Sequence, residues 1–133
     1  MYVDYLNYQE YGTRNAKVLS AEKGSLTEAK LSQLFSAIKG GKVKLVNAEN
    51  KENGLSISIF IDGAISHIEI LDDAEETRYI YDNTLDDESD TGLGGYDFPT
   101  WSICNDLEIV VNILKKFVES GEKLSTVSWR EDW

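Results

Sequence analysis

With 133 residues, 41% of them hydrophobic and fourteen aromatic (three Trp, seven Tyr, four Phe), the chain has enough apolar material for one buried core, which excludes wholesale disorder. A formal net charge of −11 excludes a nucleic-acid ligand, because phosphate repulsion must be overcome before any base contact. One cysteine, Cys104, excludes an intrachain disulfide and cannot alone make a zinc site; with no secretory signal and no run of the ~20 apolar residues needed to cross a bilayer, the expected location is cytoplasmic.

The opening segment, Met1 to Thr13, carries Tyr2, Tyr5, Tyr8 and Tyr11 at three-residue spacing. That spacing fits one face of a helix or, as preferred here, a tyrosine-rich arm laid on the surface. Asn15 to Ala21 alternates around Val18 and predicts a short edge strand. Ser25 and Glu28 stand at the spacing of a capping box, and Leu31, Leu34, Phe35 and Ile38 follow as one apolar stripe that Gly40 and Gly41 end.

From Lys42 the period changes to two. Val43 and Leu45 alternate with lysines, then Leu55, Ile57, Ile59 and Ile61 alternate with Ser56, Ser58 and Phe60, as in strands with one buried face. Asp62-Gly63 signals a two-residue hairpin turn, which sets Ile61 opposite Ala64, Ile59 opposite Ser66, Ile57 opposite Ile68 and Leu55 opposite Ile70. The same register puts His67 beside Ser58, and Glu69 beside Ser56, on a solvent face. A turn at Asp72-Asp73-Ala74 leads to a strand over Arg78 to Tyr81.

Asn83 to Gly95 is acidic, glycine-rich and aperiodic, hence a long loop. Asp97 to Ile103 contains the only proline, Pro99, and reads as an edge strand or an extended approach to the last helix. Asn105, with Glu108 three residues on, caps that helix; Leu107, Val110, Val111, Leu114 and Val118 form its inner stripe, widened by Ile109, Ile113 and Phe117. So apolar a helix belongs between the sheet and the first helix. Lys115 and Lys116 complement its C-terminal dipole, Gly121 closes it, and Leu124 to Trp129 forms a last strand. The expectation is an α+β fold, a single domain over 1–133, with a mostly antiparallel sheet of about five to six strands and two helices.

The charge is not spread evenly along this frame. Asp62 to Asp97 holds twelve carboxylates against one cation, Arg78, while the rest of the chain has twelve acids and twelve bases. A net field of that kind sets the sign of any partner. The candidate partner-binding residues are Asp72, Asp73, Glu75, Glu76, Asp86, Asp87, Glu88 and Asp90 as an acidic rim. Tyr79, Tyr81, Tyr96 and Trp101 are the candidate aromatic anchors; whichever of Tyr79 and Tyr81 faces inward is equally read as core, and Trp101 and Trp129 are more often core residues, with Trp101 the better candidate of the two for a partly exposed contact.

Catalytic and metal-binding patterns are weaker. His67 with Ser58 and Glu69 resembles a hydrolase set, yet no nucleophile elbow accompanies it, and a surface histidine is the simpler reading. Asp86, Glu88 and Asp90 alternate like the start of a calcium loop, but Gly92 falls one position late and no helices flank it. Gly92-Leu93-Gly94-Gly95 lacks the lysine of a phosphate loop, and Cys104 reads as an apolar filler. No enzymatic activity, metal or cofactor is expected.

The last third carries a family likeness. Gly94-Gly95, Asp97-Phe98, Trp101-Ser102-Ile103, the helix from Leu107 to Val118, and Thr126-Val127-Ser128-Trp129 followed by Arg130-Glu131 resemble the first of the catalogued Imm families, immunity proteins of bacterial polymorphic toxin and contact-dependent inhibition systems. The resemblance implies a cytosolic protein that binds and neutralises a secreted or contact-delivered toxin, among which are nucleic-acid deaminases and, in neighbouring systems, nucleases. The acidic stretch from Asp86 to Thr91 and the tyrosine-rich start depart from the pattern and would be the parts fitted to one toxin. The expected partner is therefore a basic nuclease or deaminase domain whose substrate groove the acids block, with no nucleic acid and no membrane involved. The competing reading is a non-catalytic small-molecule-binding or regulatory α+β domain, which calls for a concave apolar pocket.

Overall fold

The computed structural model describes residues 1–132. Ten strands and two α-helices follow one another as β1 (Tyr5–Glu10), β2 (Lys17–Ser20), α1 (Glu28–Lys39), β3 (Val43–Asn50), β4 (Leu55–Asp62), β5 (Ile65–Asp72), β6 (Thr77–Asp82), β7 (Asp90–Leu93), β8 (Tyr96–Pro99), a 3₁₀ turn (Thr100–Ser102), β9 (Ile103–Cys104), α2 (Leu107–Ser120) and β10 (Ser128–Asp132). Seven strands run β10-β6-β5-β4-β3-β1-β2 in one antiparallel sheet, β9 joins it beside β5, and β7 pairs with β8 alone. The class is α+β with two helices, as expected, but the strands exceed the expected five to six. No helix among the described residues is long and apolar enough to cross a membrane.

The extra strands have identifiable causes. The first segment is neither a helix nor a surface arm: Leu6 and Tyr8 turn into the core while Tyr5 and Asn7 face away, a period of two that the three-residue spacing of tyrosines masks. Asn83 to Gly95, expected to be a loop, contains β7, and Asp97 to Ile103, expected to be an edge strand or an extended approach to the last helix, overlaps β8 and β9. On β3 the register shifts by one residue opposite Gln9 and Glu10, a bulge that sends Val43, Val46 and Ala48 to the core and turns Leu45 to the other face.

The β4–β5 hairpin forms with a corrected register. Gly63 takes positive φ at the first turn position, with Ala64 second, so Asp62 pairs with Ile65, Ile59 with Ile68 and Ile57 with Ile70. A slip of two residues leaves each side chain on its expected face, whereas a slip of one would have exchanged core and solvent. Helix starts also move. Thr27, not Ser25, caps α1 by accepting from Lys30 N, while Ser25 Oγ accepts from Ser20 N. Asp106, not Asn105, caps α2.

Helix α2 lies on β5 beside α1, and its buried residues Val110, Val111, Ile113, Leu114, Phe117 and Val118 complete the core with the inward rows of the sheet. Gly121 ends it in the left-handed conformation. Its last turn carries no base: Lys115 sits over the Phe35 ring and Lys116 reaches Glu122, so the expected dipole contact is absent. The final strand starts later than expected, at Ser128, because Leu124 and Val127 are spent on the core in the connecting loop, where Leu124 O accepts from Trp129 Nε1.

Candidate functional site

One face of the sheet is covered by helices. The other is half open and half covered by the β7–β8 hairpin. Gly94 and Gly95 both have positive φ, 59° and 89°, the backbone a tight primed turn demands. Alternation then directs Thr91, Leu93, Tyr96 and Phe98 toward the sheet and Asp90, Gly92 and Asp97 outward. Leu93 is buried, Phe98 stacks on His67 at 3.9 Å between centroids, and Phe60 on β4 meets Phe98 at 5.8 Å and Tyr96 at 6.1 Å. Asp62 holds the turn by accepting from Gly94 N at 3.2 Å. The result is a fixed platform with carboxylates outside and aromatic rings beneath.

His67 is the post beneath that platform. Its side chain is not on a solvent face, since the residue is only 1% exposed. Ser102 Oγ donates its one proton to Pro99 O at 2.7 Å, so toward His67 Nδ1, 3.0 Å away, it accepts. Glu69 Oε1 accepts from Nε2 at 3.0 Å. The ring is thereby held on both sides, at Nδ1 by Ser102 and at Nε2 by Glu69. The His67 hydrogen bond holds the Glu69 carboxyl below its ordinary range against the opposing effect of burial, and Arg78 at 3.7 Å adds to this. Ser102, His67 and Glu69 stand in the order of a hydrolase set. The hydroxyl is nonetheless buried, and its proton is committed to a carbonyl, so the arrangement is a structural strut.

The acidic loop before β7 is ordered. Asn83 Nδ2 donates to Thr100 O and Ile103 O, Trp101 N donates to Asp87 O, and Thr100 N donates to Ser89 O. Asp87 accepts from both the amide and the hydroxyl of Ser89, which lowers its carboxyl below the usual range. Arg130 of β10 lies over the Trp101 ring at 3.8 Å and reaches Asp82 at 3.1 Å, Asp86 at 3.3 Å and Glu88 at 3.6 Å. The Asp82 hydrogen bond raises the guanidinium further above its ordinary value. Two of the expected rim acids, Asp86 and Glu88, are therefore partly neutralised from within. Nothing in the spacing of residue 130 to residues 82–88 foretells that hub.

The candidate residues do not converge on one surface. Asp72, Asp73, Glu75 and Glu76 occupy the β5–β6 turn, while Asp86, Asp87, Glu88 and Asp90 lie beyond the far end of β6, about 17 Å of strand away. Among the aromatics, Tyr96 is 63% exposed, whereas Trp101 at 8% and Tyr81 at 8% are buried, so Trp101 is a core residue and not the partly exposed contact for which it was the better candidate. Tyr81 packs edge-on to Trp129, and burial, with Cys104 alongside, pushes its hydroxyl up to about 12. Cys104 is buried as the expected filler, and burial raises its thiol. Tyr79 is half-buried on the helix-facing side in a groove of about 430 Å³ shared with Leu55, Ile70, Trp129 and Asp72, and Lys123 of the chain already lies over its ring at 3.8 Å.

Asp62, Asp87, Asp90, Asp97 and Tyr96 are thus the exposed set that the hairpin and its flanks present, and Asp62 and Asp97 are the members that the candidate partner-binding residues did not include. Among the described residues no three His, Cys, Asp or Glu side chains converge as a metal site. No family model, no curated protein and no solved structure matches the chain.

Proposed function

We propose that this chain is an immunity protein, a member of the first catalogued Imm family by resemblance, which neutralises a cationic nucleic-acid-targeting toxin, a deaminase or nuclease. The observation that carries the reading is the strut-held β7–β8 hairpin, which carries the exposed Tyr96 and the turn-holding Asp62 at its tip, Asp97 and Asp90 on its outer face and Asp87 just before it. A rigid array of carboxylates imitates the polyanion that the toxin's basic groove binds, and its field accelerates encounter toward roughly 10⁸ M⁻¹s⁻¹ at low salt. An aromatic centre with a charged rim is the composition that supports tight association. The acids of the β5–β6 turn add to the long-range field and stand outside the contact.

The test is co-expression with the product of the adjacent gene. Rescue of growth, direct binding, and an association rate that falls steeply between low and high salt support the proposal; a neighbouring product that is harmless and does not bind refutes it. The Tyr79 groove favours the small-molecule reading only if Lys123 leaves it, and saturable binding of a metabolite to the isolated protein would mark that case.

A further inference from the structure

The chain repeats one arrangement: a cation laid over an aromatic ring beside a carboxylate. Lys17 lies over Tyr8 at 5.8 Å and pairs with Glu10 at 2.6 Å. Lys51 lies over Tyr5 at 5.3 Å and reaches Glu49 at 4.0 Å. Arg130 lies over Trp101 with Asp82, Asp86 and Glu88 around it, and Lys123 covers Tyr79 in the groove that Asp72 lines. In each seat the ring face and the carboxylate attract the same charge.

A fifth seat has the parts without the cation. Between the hairpin tip and the ends of β1 and β3 runs a groove of about 430 Å³ lined by Tyr11, Leu45, Phe60, Asp62, Gly94 and Tyr96. Tyr11 and Tyr96, 45% and 63% exposed, are two of the few large exposed apolar side chains, and they share this groove. Tyr11 is fixed as a wall because its hydroxyl donates to Ile61 O at 2.6 Å. Burial and the nearby Asp62 charge raise that hydroxyl above its ordinary value, so the wall stays neutral. Asp62 engages Gly94 N through Oδ2. Among the described residues no cation of the chain lies over Tyr11, Phe60 or Tyr96 or pairs with Asp62, although Lys44 stands in the lining.

We infer that this groove seats an arginine side chain of the partner protein. The inference rests on the proposed function and deepens it by naming the contact. A planar guanidinium stacks on aromatic faces and is weakly hydrated, which suits a groove whose walls are rings and whose one carboxylate is already oriented. The carboxylates Asp90 and Asp97 on the hairpin's outer face and the net charge of −11 supply a field of the required sign, which Lys44 only partly offsets.

The probe is acetyl-Gly-Arg-Gly-amide, titrated into the protein and followed by NMR, beside its citrulline analogue, which keeps the shape and lacks the charge. Saturable shifts are expected at the Tyr11, Phe60 and Tyr96 rings and the Gly94 amide, with the citrulline peptide and the Tyr96→Ala variant each binding about fivefold more weakly, the effect of one exposed cation–π contact. Tyr96→Leu, which keeps apolar cover over Phe60, separates loss of the ring face from disturbance of the hairpin and should weaken binding equally. Equal response to arginine and citrulline, shifts centred on the β5–β6 turn instead, or unchanged affinity in Tyr96→Ala overturns the inference. The probe needs no toxin: a seated peptide without toxin neutralisation counts against the immunity reading alone, and full neutralisation by Tyr96→Ala counts against the groove and against Tyr96 as the aromatic centre while leaving the immunity reading standing.

Discussion

The strut beneath the hairpin makes a quantitative prediction. His67→Leu removes a charge-assisted bond to Glu69 at 3.0 Å, a bond to Ser102 at 3.0 Å and the stack on Phe98. A hydrogen bond to a charged group contributes about 1.5–3 kcal/mol, a neutral one about 0.5–1.5 kcal/mol and the aromatic stack about 0.5–1.5 kcal/mol, so the single variant should lose about 2.5–6 kcal/mol. In a double-mutant cycle with Glu69→Ala, only the His67–Glu69 contact is counted. Glu69 keeps some solvent and retains Arg78 at 3.7 Å, which places the coupling near the lower bound, about 1.5 kcal/mol at pH 7.

Urea unfolding of the four proteins measures that coupling, and hydrogen exchange of the Asp97 and Phe98 amides reports whether the hairpin loosens. Because the folded Glu69 carboxyl titrates below its ordinary value of 4.5, the contribution is complete above that value and disappears as the pH falls through the lower folded value. Strict additivity of the two variants, within ~0.3 kcal/mol, or a coupling that grows in acid would refute the strut.

Other consequences follow from single positions. Gly121→Ala should destabilise by at least about 2 kcal/mol in denaturant melts, since its φ is +72° and a Cβ there would fall 2.5 Å from the Tyr2 ring, adding overpacking to left-handed strain. Leu93→Ala, under the hairpin, should cost about 2–5 kcal/mol by the same measurement and raise exchange in β7 and β8 before the main sheet. Tyr81 titrates at about 12 when folded against 10.0 ordinarily, so its stabilisation is complete below 10 and is lost as the pH rises toward 12; Tyr81→Phe should flatten that alkaline decline in a pH series of melts.

Local periodicity carried much of this architecture. The stripe of α1, the apolar band of α2, the alternation of β4 and β5, and Gly121 as a stop each follow from contacts within a few residues, and each stands where expected. Departures arose where two local signals compete or where the decisive partner is distant. Tyrosines every three residues hid the two-residue period of β1, and both Ser25 and Thr27 satisfy a capping rule, so only the folded backbone selects between them. The acidic segment was legible as charge but not as place: β6 separates its two clusters, the buried Trp101 serves Arg130 instead of solvent, and His67 is covered by Phe98 from a hairpin 31 residues downstream. Of the candidate anchors, Tyr96 alone combines exposure with a position on the acidic hairpin, because the turn glycines aim it at Phe60 while leaving its edge open.

The association rate with the proposed toxin, sought as the product of the adjacent gene and measured by stopped flow for two charge-reversed proteins, bears most directly on where the partner is met. Changing Asp87, Asp90 and Asp97 to Lys should slow binding at least tenfold at low salt and abolish protection in co-expression, with the fold retained and melting lowered only by the loss of the Asp87–Ser89 bonds. Changing Asp73, Glu75 and Glu76 to Lys alters the same net charge and should leave protection intact with only a small fall in rate. Equal losses from the two variants, or a larger loss from the second, would contradict the hairpin end as the binding face.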